Sequence, residues 1–289
     1  MQHEEFNWKS SDNITHFGQL WKSDSDNNLP VICLVHGMGE HSSRYNEFAK
    51  YFTEKGISVI SYDQRGHGKS EGKRGHTPSL ELLLESIDKL LEKAKEKFPN
   101  KPLILYGHSM GGGIVLHYVL KNKPQLFGVI ASSPWLKLAF EPPAIKVELG
   151  KIVNNFFPSF SQSTELDHTA ISRDPDVVEQ YMNDSLVHDT ISSNMFLSVK
   201  EATQWALDHA AVFSLPLLVF HGSEDTITSH QASEDFVAKI EKNATFKLWE
   251  GYYHECHNDK GKTDVLNYIN AWIEQQIEIK AHKEQEEDL

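Results

Sequence analysis

The chain has 289 residues, 39% of them hydrophobic, enough to bury the core of one α/β enzyme domain with an insertion. Its 28 Lys and Arg stand against 41 Asp and Glu, a formal net charge of −13, which argues against a nucleic-acid partner because phosphate binding needs clustered cations. Its two cysteines, Cys33 and Cys256, provide neither a disulfide framework nor zinc-type spacing.

The N-terminal Met1-Gln2-His3-Glu4-Glu5 is polar and acidic and does not read as a signal peptide. No apolar run approaches the roughly 20 residues that span a bilayer. The expected location is the cytoplasm, with peripheral membrane contact left open.

Along the chain, short apolar runs alternate with amphipathic stretches, the βαβα pattern of a mostly parallel sheet flanked by helices. Val31 to Val35 reads as a strand. Tyr45, Phe48, Ala49 and Phe52 then share a helical face, and Ile57 to Tyr62 is the next strand. Thr77-Pro78 reads as a helix start, with Pro at the first helical position; a stripe from Leu80 to Ala94 follows. Leu103 to Tyr106 is a strand that runs into Gly107-His108-Ser109, and Phe127 to Ser132 is another. From Pro134 to Ala211 no convincing strand is found. Ile145 to Phe157 marks one amphipathic helix and Met195 to Ala206 another. Alternation resumes with a strand Leu217 to Phe220, a helix through Ala232 to Ile240, a strand Thr245 to Trp249, and a final helix through Val265 to Ile273. Hence the expected organisation is a core of 1–133 and 212–276, a helical insertion of 134–211, and a charged tail of 277–289 that is a fraying helix end or disordered.

Gly107-His108-Ser109-Met110-Gly111 fits G-x-S-x-G. A serine that stands clear of a sheet edge needs a sharp strand-to-helix turn, and the residues two before and two after it must be small. The following helix directs its N-terminus at Ser109 and favours negative charge there. A second glycine turn, His36-Gly37-Met38-Gly39, ends the Val31 strand. The backbone N–H groups of Met38 and Met110 are the candidate oxyanion hole; losing one such donor raises an acyl-transfer barrier by roughly 3 kcal/mol.

In this kind of sheet the acid and then the histidine follow the serine. Asp225, just past the Leu217 strand, is the candidate acid; Glu224 and Asp208 are alternatives. His254, just past the Thr245 strand, is the candidate base, with His257 three residues on as competitor. The acid's role is to fix the imidazole tautomer and stabilise the imidazolium.

Taken together, these segments resemble the monoglyceride lipases, a group of α/β-hydrolases also labelled monoacylglycerol lipases or lysophospholipases. The resemblance runs from about Phe6 to Trp272. It is carried by His36 to Tyr45, Asp63 to Ser70, Gly107 to Gly112, Gly222 to Asp225 and Glu250 to His254, with Leu166 to Arg173 and Tyr181 to Val187 in the insertion. It favours His254 over His257. It implies an α/β-hydrolase fold with the insertion as a cap or lid, and a head-group site at Glu40, Arg44 and His257 that binds glycerol hydroxyls. Another reading of Glu40 and Arg44, four apart, is a surface ion pair worth little. Ser185 stands where the group's cap has proline.

The apolar residues of the insertion, Trp135 to Phe140, Ile145 to Phe157 and Phe160, suit an acyl channel, a membrane-facing surface, or simple packing onto the core. The expectation is a serine carboxylester hydrolase that cleaves monoacylglycerols to fatty acid and glycerol through an acyl-enzyme, with no cofactor and no metal. The alternatives are a lysophospholipase or a broad-specificity carboxylesterase. A non-catalytic binding module on the same scaffold is disfavoured, since all three catalytic candidates occur in order.

Overall fold

Residues 1–25, 27–140 and 144–287 are described by a computed structural model. Residues 141–143 of the expected insertion and 288–289 of the expected tail lie outside the described residues. The chain opens with an antiparallel hairpin of β1 (Gln2–Lys9) and β2 (Thr15–Lys22). Then come β3 (Val31–Val35), α1 (Asn46–Glu54), β4 (Val59–Tyr62), α2 (Leu80–Lys97), β5 (Leu103–His108), α3 (Met110–Asn122) and β6 (Gly128–Ser132). The excursion that follows holds α4 (Ala144–Phe156), β7 (Ser161–Ser163), α5 (Pro175–Asn183), β8 (Thr190–Ser192) and α6 (Ser193–Asp208). The chain returns through β9 (Leu217–Gly222), α7 (His230–Ala238), β10 (Ala244–Trp249) and α8 (Lys262–Glu287).

One eight-stranded sheet results, in the order β1-β2-β4-β3-β5-β6-β9-β10. It is antiparallel where β2 meets β1 and β4, and parallel from β4 to β10. The inner strands are buried on both faces, so they read as unbroken apolar runs; every residue of Val31–Val35 is fully buried. On one face α1 and α8 supply Phe48, Phe52, Ile269 and Trp272. On the other, α2, α3 and α6 supply Ile87, Leu90, Ile114 and Val199. The carboxyl ends of β3, β5, β9 and β10 share one edge, where an open α/β sheet places its ligand crevice.

The structure departs from the sequence expectations in several places. The β1–β2 hairpin was not expected. Most of β1 is exposed, and β2 buries the polar His16 and Gln19, so neither strand alternates cleanly. His16 lies under Trp8, ring centroids 5.5 Å apart and planes 13° from parallel. The insertion does contain strands: β7 and β8 pair over three residues each, too short to leave a pattern. Helix α2 begins at Leu80 with Ser79 as its flanking residue, so Pro78 lies outside it and Thr77 donates to the Ser79 carbonyl at 2.7 Å. Helix α8 runs unbroken to Glu287, because the Glu, Lys and Gln of the charged tail are good helix formers.

Candidate active site

Ser109 stands between β5 and α3 with φ 51° and ψ −119°, a backbone conformation that is strained for any residue with a Cβ. The turn is held by close approach. A Cβ on Gly107 would come within 2.6 Å of the Gly111 carbonyl oxygen, and one on Gly111 within 2.4 Å of the carbonyl oxygens of both Val35 and His36. The Ser109 N–H donates to Ser132 at 2.9 Å, and its carbonyl accepts from Trp135 at 2.8 Å and Gly113 at 3.0 Å. Bonds on both sides of the residue over-determine its strained geometry.

The loop after β3 reaches the same point. A Cβ on Gly37 would lie 3.1 Å from the Ser109 Cβ. The Gly37 N–H donates to Glu40 at 2.6 Å, and the Gly39 carbonyl accepts from His188 of the insertion at 2.9 Å. Met110 opens α3, so its N–H has no intrahelical acceptor. Among the described residues, neither it nor the Met38 N–H donates to a protein group. Met38 and Ser109 both line the cavity described below.

Asp225 and His254 meet above β9 and β10. His254 Nδ1 donates to Asp225 Oδ2 at 2.7 Å, which leaves Nε2 as the basic nitrogen. Burial alone would lower the His254 pKa, but the Asp225 carboxylate outweighs it and lifts the group above its ordinary value. Burial alone would raise the Asp225 pKa, but His254 and His221 hold it well below the usual carboxylate range. The alternatives Glu224 and Asp208 are both exposed. The His254 ring lies 4.8 Å from that of His108, next to Ser109 in the chain. No direct hydrogen bond joins Ser109 Oγ to His254 among the described residues; such bonds are often long before substrate binds.

Two supporting groups escaped the sequence reading. Thr228 Oγ1 donates to Asp225 Oδ2 at 2.9 Å and lies 3.3 Å from His254 Nδ1. His221 Nε2 is 2.8 Å from the same carboxylate oxygen. The other oxygen, Oδ1, accepts from the N–H groups of Ile227 and Thr228 at 2.8 and 3.0 Å. Asp225 is thus saturated and fixed. Gly222 lets the two loops touch: a Cβ there would lie 2.2 Å from the Tyr252 carbonyl oxygen.

Glu40 and Arg44 do form an ion pair, at 2.8 Å, but it is buried, against the reading of a surface pair. Glu255, a residue the sequence reading passed over, takes Arg44 in a two-point bond of 2.7 and 2.8 Å. Tyr45 also donates to Glu40 at 2.9 Å, and Tyr181 of α5 covers the Arg44 guanidinium at 4.6 Å. Burial alone would raise the Glu255 pKa, but Arg44 holds it below its ordinary value. His257 is buried and stacks on Tyr45 at 5.1 Å; among the described residues neither ring nitrogen has a hydrogen-bond partner. Burial depresses its pKa to about 4, so it is neutral at physiological pH, with one donor and one acceptor.

A cavity of about 390 Å³ extends from Ser109 into the insertion. Its walls include Met38, Trp135, Leu138, Val153 and Phe196 and are mostly apolar. Beyond it, Ile145, Ile152, Phe156 and Phe157 of the α4 region are 57–74% exposed, so only part of the predicted apolar stripe packs inward. No described helix is long and apolar enough to cross a membrane.

Comparison with known proteins agrees with this architecture. The family described as serine aminopeptidase, S33 matches residues 26–261. A monoacylglycerol lipase of Mycolicibacterium smegmatis is 32% identical, over 88% of this chain and 91% of that protein. An uncharacterized abhydrolase domain-containing protein of Dictyostelium discoideum is 40% identical over 86% of this chain, which spans only 27% of that longer protein. The crystal structure of Paleococcus ferrophilus monoacylglycerol lipase superposes with a TM-score of 0.80 at 32% identity, covering 96% of this chain and 100% of that one. The chain belongs to the serine aminopeptidase S33 family, and within the α/β-hydrolases it is a serine ester hydrolase of the monoacylglycerol lipase group.

Proposed function

We propose that the protein hydrolyses monoacylglycerols to fatty acid and glycerol through an acyl-enzyme on Ser109. Ser109 Oγ attacks the ester carbonyl as His254 Nε2 takes its proton. The oxyanion is held by the N–H groups of Met38 and Met110, which have no protein acceptor among the described residues. The imidazolium, stabilised by Asp225, gives its proton to the departing glycerol oxygen. Water then attacks the acyl-enzyme with His254 again as base, and the fatty acid leaves.

The observation that carries this reading is the 2.7 Å His254–Asp225 bond beside a strained serine that opens into an apolar cavity. Glycerol's free hydroxyls need both donors and acceptors, which His257 offers, its ring nitrogens having no hydrogen-bond partner among the described residues. Glu40 and Arg44 complete the head-group site, with Arg44 held in place by Glu255. Residues 134–211 act as a lid over the core formed by 1–133 and 212–276. The exposed apolar residues of α4 rest at a lipid surface from which substrate is drawn.

Rates on monoolein, lysophosphatidylcholine, a short nitrophenyl ester and an aminoacyl anilide test the reading. Monoolein is turned over best. Faster hydrolysis of lysophosphatidylcholine or the anilide contradicts the substrate assignment.

A further inference from the structure

The cavity wall contains a glycine that neither backbone geometry nor close packing requires. Gly150 lies in the interior of α4, where glycine is the least favoured residue after proline. Its φ is not in the positive range that favours glycine. Each of the chain's other glycines would bring a Cβ within 4 Å of another atom; at Gly150 a Cβ would meet nothing. Gly150 lines the cavity that begins at Ser109, one turn from Val153 on the same face of α4, while Phe196 and Leu197 of α6 line it as well. The helix gives up a favourable residue at a position that lines the cavity and where a side chain would meet open space.

We propose that Gly150 sets the upper length of the acyl chain the enzyme accepts, by leaving open the part of the cavity that α4 encloses. The inference rests on the cavity being the acyl site of the proposed reaction. An acyl chain short enough to end before Gly150 is indifferent to a side chain there. A longer chain must pass the position, and a branched side chain on α4 occupies the space its methylenes need.

The test is the kcat/KM of the full chain and of the Gly150→Leu and Gly150→Ala variants on two ester series, each with acyl chains from 4 to 18 carbons. One series is 1-monoacylglycerols and the other nitrophenyl esters. In Gly150→Leu the ratio of long-chain to short-chain kcat/KM falls on the order of tenfold or more in both series. Gly150→Ala shifts it in the same direction by less, and raises the melting temperature because alanine favours the helix. A ratio unchanged within about twofold in Gly150→Leu, or a lower melting temperature in Gly150→Ala, overturns the proposal. The nitrophenyl series keeps this outcome separate from the substrate assignment. If the wild type ignores glycerol esters, the head-group reading fails while the nitrophenyl profile still reports on Gly150.

Discussion

The catalytic end of the sheet and the α4 region of the insertion are built on opposite terms. Around Asp225 both carboxylate oxygens are taken, by His254, His221 and Thr228 on one and two backbone N–H groups on the other. Groups there are buried and satisfied, so each partner fixes the next. Along α4, Ile145, Ile152 and Phe156 lie bare, and the inward face carries Gly150 and Val153 beside a mostly apolar cavity. On the proposed reading, reaction geometry is set at the sheet edge, and access and chain preference along α4. Substitutions in the two regions therefore fail differently: the first in the chemical step, the second in which substrate is taken and from where.

Removing the nucleophile breaks the comparison most severely. Ser109→Ala lowers kcat on monoolein by a factor on the order of 10⁶ with the fold intact. Near-normal hydrolysis by that variant would remove the chemistry from the sheet edge altogether. Asp225→Asn follows, with a loss of about 10⁴, because an amide does not hold the His254 tautomer. The pH profile sharpens this pair. Protonated His254 cannot accept the serine proton, so activity is lost as pH falls through its pKa. The Asp225 carboxylate raises that pKa, so the acid limb of kcat/KM is centred above the ordinary histidine value of 6.5. In Asp225→Asn the limb of the residual activity moves to lower pH. A wild-type limb centred well below 6.5 would show that Asp225 does not charge-stabilise the base.

Glu255 is the intermediate case. Glu255→Ala leaves the buried Arg44 with Glu40 alone, and breaking a buried pair of this kind costs about 3 kcal/mol, read by denaturant unfolding. Linkage has a definite sign here: a carboxylate whose pKa is depressed on folding stabilises above its unfolded pKa, near 4.5, and loses that contribution as pH falls through the folded value. The variant should therefore lose less stability than wild type on acidification. A loss below about 1 kcal/mol at neutral pH would place the pair in solvent. The smallest stability effect is on the α4 surface. Ile152→Ser with Phe156→Ser changes stability by less than about 0.5 kcal/mol and leaves a soluble short ester unaffected, while hydrolysis of monoolein presented in vesicles falls. Equal rates on both substrates would argue against membrane contact by this face.

The same contrast explains what the sequence made legible. The Ser109 turn could be read because its signature is local: the glycines at 107 and 111 each stand two residues from the serine, although what Gly111 avoids is the distant end of β3 at Val35 and His36. Strands such as Val31–Val35 announced themselves as apolar runs because both faces are covered. Asp225 and His254 stand out as candidates by place, each just past a strand, yet only the fold brings them to 2.7 Å. Thr228, His221 and Glu255 left no such signal. Each acts on a residue that the fold or a nearby loop brings to it, and no spacing distinguishes them from a turn threonine, a strand histidine or a surface glutamate. The β1–β2 hairpin was hidden for a related reason, since polar residues such as Gln19 and His16 are buried with partners and mask the period-two pattern.

The central claim is that one hydroxyl, activated by one imidazole, carries the reaction. Reaction with a fluorophosphonate probe, with the adduct located by mass spectrometry, tests it most directly. The account predicts a single adduct on Ser109, formed rapidly in the wild type and almost not at all in His254→Ala. An adduct on another residue, or undiminished labelling of Ser109 without His254, would contradict it.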